Sequence, residues 1–166
     1  MDLILVRHAI AGEYDPLRWP DDRDRPLTAK GALRFKTAAR GLRRIVPTVQ
    51  VHLSSPLARA WQTAKILEQV ARWPAAKRAE GLASGQSQIR LLEELTPYSA
   101  AESVALVGHE PDLSGLASFL IGGGDDARLQ LKKGGAISLR FDGEVQPGAA
   151  RLLWLLTPAI LRELAP

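Results

Sequence analysis

The chain has no cysteine. That excludes a disulfide framework, a thiolate metal site and a thiol nucleophile. Imidazole is scarce as well, with His8, His52 and His109 as the whole supply. A zinc site would have to recruit carboxylates, and no cluster has metal-ligand spacing, so no metal and no cofactor are expected. Aromatic residues make up 5% of the chain. That offers no base-stacking platform, and no nucleic-acid motif is present, so a nucleic-acid partner is not expected. No apolar run approaches the roughly 18 residues of a membrane span. The first apolar stretch is short, begins at once and lacks the basic leader of a signal peptide. A cytoplasmic protein with no membrane partner is the default expectation. Neither a G-x-S-x-G nucleophile elbow nor a G-x-x-x-x-G-K-[ST] phosphate loop occurs.

What is present fits one compact domain over residues 1–166, with 46% hydrophobic and 24% charged residues. No repeat or linker divides it. The net charge is +4. Its densest basic stretch, Lys30, Arg34, Lys36, Arg40, Arg43 and Arg44, reads as the wet face of a helix.

The apolar run Asp2 to Val6 reads as a buried strand. Ala9 to Pro26, with three prolines and many charges, reads as loop. Thr28 suits an N-cap, and a helix follows to Ile45, with Leu33, Thr37, Gly41, Leu42 and Ile45 on one face. Val49 to Ser54 is a second strand. Leu57, Ala60, Ala64, Leu67 and Ala71 recur at helical spacing over Pro56 to Arg72. Ala75 to Gln88 is polar loop, Ile89 to Leu92 a third strand, and Val104 to Val107 a fourth. A helix from Asp112 through Leu120 stops at Gly122-Gly123-Gly124. Strands at Ala136–Phe141 and Arg151–Thr157 and a short helix at Pro158–Leu164 finish the chain. The alternation predicts an α/β fold: a mostly parallel central sheet with helices on both faces. One link resists this reading. Only about a dozen residues separate Leu92 from Val104, and a crossover helix alone needs about that many. Either that connection has no proper helix or the third strand is misplaced.

The chemistry gathers at strand ends. Arg7-His8 follows the first strand and Gly108-His109 the fourth, and open α/β sheets bind ligands beyond the carboxyl ends of their strands. Either histidine alone would be read as a satisfied cap or core residue; two such placements beside an arginine point to a site. Arg59 falls in the first turn of the second helix, after Ser54-Ser55-Pro56, where amides, the helix dipole and a guanidinium suit an anion. Two arginines, two imidazoles and a helix N-terminus suit phosphoryl transfer, which needs positioning and donors for the equatorial oxygens. A neutral imidazole is a good nucleophile near pH 7. His52, inside a strand, reads as structural. Tyr14, Trp19 and the acidic loop Asp21–Asp24 form either a rim of the site or plain solvent-facing loop.

These segments resemble the motifs of a known family. Leu5-Val6-Arg7-His8-Ala9 is similar to the Arg-His signature of the histidine phosphatase superfamily, also called phosphoglycerate mutase-like. Arg25-Pro26-Leu27-Thr28-Ala29-Lys30-Gly31 resembles its Leu-Thr-x-x-Gly helix start. Ser54-Ser55-Pro56-Leu57-Ala58-Arg59-Ala60-Trp61-Gln62-Thr63-Ala64 resembles its Ser-Pro-x-x-Arg-x-x-Gln-Thr-Ala helix. Val107-Gly108-His109-Glu110-Pro111 resembles its second histidine motif. The matches come in the family's order and span most of the chain. Within the superfamily, the small size, Glu94-Leu95-Thr96-Pro97 and the ending Leu153-Trp154-Leu155-Leu156-Thr157-Pro158 look like the SixA-type phosphohistidine phosphatases.

The resemblance implies a phosphoglycerate mutase-like fold. It implies His8 as nucleophile, Arg7 and Arg59 as clamps on the phosphoryl oxygens, and His109 as a further phosphate ligand. It also implies a phosphohistidine intermediate hydrolysed by water without metal or cofactor. Two departures stand out. The segment between Thr96-Pro97 and the fourth strand is shorter than the family leads one to expect, where such proteins carry a helix. Mutases and broad phosphatases also carry a carboxylate general acid in this region; Glu93 and Glu94 are the candidates, and both read equally as surface charges. A site without a dedicated acid favours phosphohistidine, whose imidazole leaving group is protonated before the bond breaks, over phosphate esters, whose alkoxide needs a proton. The expected substrate is therefore a phosphorylated protein such as a histidine-phosphotransfer domain. The rivals are a phosphomonoesterase for sugar or nucleotide phosphates and a non-catalytic phosphoprotein-binding module.

Overall fold

The computed structural model describes residues 1–124 and 129–166. Strand β1 (Asp2–Arg7) lies inside a six-stranded sheet of order β3-β2-β4-β1-β5-β6. Its partners are β4 (Ser103–Gly108), parallel, and β5 (Ala136–Arg140), antiparallel. Strand β2 (Val51–Ser54) pairs parallel with both β4 and the two-residue β3 (Lys77–Arg78). Strand β6 (Arg151–Leu156) closes the far edge antiparallel to β5. The sheet is mixed, with its parallel strands β1 to β4 together and the antiparallel pair on one side.

Both faces of the sheet are covered, which explains the uninterrupted apolar run of β1. Leu3 and Leu5 enter one core with Val104, Leu106 and the helices α3 (Gln88–Leu95) and α4 (Asp112–Gly122). Ile4 and Val6 enter the other with Ala105, Val107 and the helices α1 (Ala29–Ile45) and α2 (Ala58–Ile66). Leu5 is fully buried, and truncation to alanine would cost about 2–5 kcal/mol. The short helix α5 (Pro158–Glu163) packs across α1 at Gly41, where any Cβ would strike the Leu161 carbonyl. Two expectations hold at the ends of the helices: the Thr28 side chain accepts from Gly31 N–H at the start of α1, and Gly123 ends α4 at φ 76°.

Three expectations do not hold. Ile89–Leu92 is not a strand but the middle of α3, which starts at a Ser87 cap and buries Leu91 and Leu95 at i, i+4 spacing. Its short apolar cluster fits either period, and the cap together with the helix-forming Gln, Arg and Glu decides it. The third strand is the exposed Lys77–Arg78, in the segment read as loop; two polar residues carry no alternation to detect. The crossover difficulty disappears with this correction, because α3 now lies ahead of β4 and only a 3-10 turn at Thr96–Tyr98 intervenes. The buried stripe of α1 is also shifted. Phe35, Ala38, Ala39 and Leu42 face the core, while Leu33 and Ile45 are exposed. The six basic residues of that segment are all solvent-facing, as expected.

Candidate active site

The parallel strands end at one crest, and three backbone N–H groups extend the pairing past the strands. His8 N–H donates to the Gly108 carbonyl, Ser55 N–H to the Val107 carbonyl, and Gly134 N–H to the carbonyls of Arg7 and His8. The turns carrying His8, Ser55 and His109 are thereby fixed to one another. The rings of His8 and His109 sit 5.2 Å apart, centre to centre, at 52°. Helix α2 begins at the same crest. Its N-cap residue, Leu57, supplies no side-chain cap, and its first turn delivers Arg59, which is only 5% exposed.

His8 is held in one orientation. Its Nδ1 lies 2.7 Å from the Ala9 carbonyl oxygen. A carbonyl only accepts, so Nδ1 bears the proton and Nε2 carries the lone pair. Ala9 N–H in turn donates to Thr63 Oγ1 at 3.0 Å, and that hydroxyl donates to the Arg59 carbonyl at 2.7 Å. Helix α2 is thus tied to the histidine's own neighbour. Burial is the largest cause that pushes His8 down to about 3, with the charges of Arg59, Arg7 and Lys133 adding to it against the raising effect of the Ala9 bond. His109 is pushed to about 3 by burial first, then by His8, Arg59 and Arg7. Both imidazoles are neutral at pH 7.

The guanidiniums are fixed at one end each. Arg7 Nη1 donates to the Leu131 carbonyl at 2.8 Å. Arg59 Nη1 donates to the Asp22 carbonyl at 2.8 Å and lies 3.1 Å from its carboxylate. Among the described residues, five buried side-chain polar atoms have no partner, and three of them are Arg7 Nε, Arg59 Nε and His109 Nδ1. Native interiors leave few such atoms unpaired. Three on one crest mark a place built for a polar guest, and two guanidiniums make that guest an anion. The other ring nitrogen of His109, Nε2, lies 2.8 Å from Ser55 Oγ. That hydroxyl also accepts from Leu57 N–H at 3.2 Å.

All four predicted site residues, Arg7, His8, Arg59 and His109, therefore stand on the crest. Glu93 and Glu94 do not join them. Glu94 accepts the Gly81 N–H at 2.7 Å and pins α3 to the turn after β3, while Glu93 pairs with Arg90 at the surface. Tyr14 is 68% exposed, and Trp19 carries Arg18 over its ring at 5.3 Å. Of the acidic loop, Asp22 does reach the site. Arg25, through its side-chain bond first, and Arg59 keep its carboxyl below the usual range, so it is ionised. His52 lies elsewhere, its Nδ1 3.1 Å from the Pro74 carbonyl oxygen and its ring edge-on to Trp73. Ser55, Thr63 and the Leu131 carbonyl were not singled out from the sequence. Ser55 and Thr63 both belong to the Ser-Pro-x-x-Arg-x-x-Gln-Thr-Ala segment, which is a signal; Leu131 meets Arg7 across 124 residues, which leaves none. Among the described residues no cluster could hold a metal ion, and no helix is long and apolar enough to cross a membrane.

Comparison with known proteins gives the same picture. The sequence model of the histidine phosphatase superfamily (branch 1) matches residues 3–84. An uncharacterized protein of Picosynechococcus sp. (strain PCC 7002) is 39% identical over 160 residues, 95% of this chain and 96% of its own. The fold is similar to the protein histidine phosphatase SixA complexed with tungstate, at TM-score 0.83 and 22% identity over 97% of this chain and 99% of that one. It is also similar to a chain from Nakamurella multipartitia assigned as phosphohistidine phosphatase SixA, at TM-score 0.78 and 26% identity over 95% of both.

Proposed function

The chain belongs to the histidine phosphatase superfamily, and on that premise we propose that it hydrolyses phosphohistidine on a protein, such as a histidine-phosphotransfer domain, through a phosphorylated His8. The observation that carries this reading is the His8 Nδ1 bond to the Ala9 carbonyl, which leaves Nε2 as the free nucleophile beside His109. The Nε2 lone pair attacks phosphorus, and the substrate's P–N bond breaks toward an imidazole already protonated. The equatorial oxygens take the unpaired donors of Arg7, Arg59 and His109. Water then attacks the phosphorus, the bond to His8 breaks, and inorganic phosphate leaves with neutral His8 restored.

For His109 to hold an oxygen, its Nδ1 must carry the proton. Its Nε2 must then accept, and the Ser55 hydroxyl is the donor in reach. Ser55 thus acts in this reading as the residue that sets the tautomer.

The phosphohistidine preference rests on the carboxylates. Asp22 is ionised by Arg25 and Arg59, and Glu110 is turned to Ser114, whose N–H and hydroxyl it accepts. Neither is poised to protonate an alkoxide. One observation favours a second reading. Asp112, in the first turn of α4, has its carboxyl raised by burial, against the Gly85 N–H bond that lowers it. As a general acid it would serve small phosphate esters, and members of this superfamily act on other phosphates. The two readings separate by kcat/KM on a phosphohistidine peptide and on sugar phosphates, in wild type and Asp112→Asn. The phosphohistidine reading expects the peptide to be the better substrate and the variant to process it unchanged. Higher efficiency on the sugars, lost in the variant, would reject it.

A further inference from the structure

Beside the phosphate pocket lies a cleft of about 220 Å³, reached along the chain directly after His8 and bordered by Ile10 and Phe35. Four cations stand around it: Arg34 from α1, Lys132 and Lys133 from the turn before β5, and Arg162 from α5. They come from three separate segments, so the clustering is a product of the fold and not of local sequence.

Among the described residues, all four lack a carboxylate partner, as do other surface cations such as Lys30, Arg40, Arg43 and Arg72; what sets the four apart is their place around a cleft that begins at Ala9, next to His8. Seven other basic side chains, Arg23, Arg25, Arg59, Lys65, Arg90, Arg140 and Arg151, pair with a carboxylate of this chain. Among the described residues, no side-chain bond or ion pair engages any of the four around the cleft. Four like charges repel one another, and the compact state tolerates them at a cost that an acidic guest relieves. The patch is continuous with the site, because Lys133 is close enough to His8 for its charge to bear on the imidazole.

We propose that this cleft docks acidic residues flanking the phosphorylated side chain of the protein substrate, a reading that rests on the phosphoprotein activity above. The cleft has room for one or two side chains. Its apolar border receives their methylene groups and its cations receive their carboxylates. A nucleic acid fits less well. The one aromatic ring on the cleft, Phe35, is 3% exposed and offers no face for a base. Opposite charge across such a contact raises the encounter rate and is weakened by salt.

The test uses three phosphohistidine peptides of equal length whose flanking residues are glutamate, glutamine or lysine, with phosphoramidate as the small probe. Wild type should process the glutamate peptide with kcat/KM about tenfold above the glutamine peptide, with lysine lowest and the spread shrinking as salt rises. Arg34→Glu/Lys132→Glu/Arg162→Glu should invert that order while phosphoramidate turnover stays unchanged. The milder pair Arg34→Gln/Lys132→Gln, at two exposed positions, should lose part of the preference. Equal efficiency on the three peptides in wild type would overturn the proposal. So would a triple variant that loses phosphoramidate turnover as much as peptide turnover, or stronger inhibition by an oligouridylate than by an oligoglutamate of equal charge. Phosphoserine peptides with the same flanks distinguish the two layers. If they outperform phosphohistidine yet keep the glutamate preference, the substrate reading fails and the docking reading stands.

Discussion

His8 and His109 stand at the carboxyl ends of β1 and β4, while His52 lies inside β2; all three are less than 7% exposed, and burial lowers the pKa of each. Each also has a ring nitrogen in contact with a polar oxygen. The surroundings differ. His52 meets Trp73 and the Pro74 carbonyl, with the Glu68 carboxylate bearing on it from nearby. The two crest imidazoles meet each other and two guanidiniums whose Nε atoms lack partners. His52 also has an unpartnered nitrogen, Nε2. Burial, a depressed pKa and a lone orphan atom are therefore not enough to define a site. Several orphan donors gathered at the strand ends, beside two neighbouring imidazoles, are what separates the crest from the middle of the sheet.

The largest expected effect breaks that comparison at its centre. His8→Ala should lower kcat by about 10³-fold or more, because it removes the proposed nucleophile. His52→Gln should leave kcat within a few-fold and appear instead as lost stability, about 1–3 kcal/mol in a denaturant titration. An equal loss of activity in both variants would erase the distinction.

Arg59→Ala should cost about 10²- to 10³-fold in kcat, the magnitude seen when one preorganised donor to a developing charge is removed. Arg59→Lys should recover little of it, since a point charge does not replace a planar fork whose Nη1 is already committed to Asp22. Full rescue by lysine would reduce Arg59 to a simple positive charge.

Ser55→Ala should lower kcat by about tenfold with the fold intact, because His109 loses the partner that sets its tautomer. A change confined to KM, or none, would mean that His109 needs no such setting.

The pH dependence of stability sharpens the comparison at smaller amplitude. Burial pushes His8 and His109 down to about 3 from the 6.5 of an unperturbed imidazole. Between those values the unfolded chain binds protons that the folded chain refuses. Stability is therefore complete above about pH 6.5 and falls as pH drops through this window. Each histidine contributes a slope of about 1.4 kcal/mol per pH unit. His109→Gln should flatten the stability profile by one such increment between pH 6 and 4, measured by urea titration. An unchanged slope would contradict a buried neutral His109.

Much of this architecture was legible in the sequence, for reasons that also explain what was not. The strand Asp2–Val6, the Thr28 cap and the Gly122–Gly124 stop are local signals, and each appears in the fold where the residues place it. The four site residues follow from strand ends, helix starts and the family motifs. The strand Lys77–Arg78 was illegible because two exposed residues have no pattern. Ile89–Leu92, inside α3, reads as a strand because four residues are too few to show the helical period without the flanking cap. Glu93 and Glu94 were candidates by sequence proximity, whereas their partners, Arg90 and Gly81, are visible only in three dimensions. The contact of Asp22 with Arg59 spans 37 residues, and no local rule anticipates it.

The central claim is that the phosphoryl group passes onto one nitrogen of one residue. A rapid quench of enzyme mixed with a labelled phosphohistidine peptide, followed by mass mapping and ³¹P spectroscopy, addresses it directly. The expected result is transient phosphate on Nε2 of His8, absent from His8→Ala. Phosphate on Nδ1 of His8, on His109 or on His52, or sustained turnover in His8→Ala, would contradict the account.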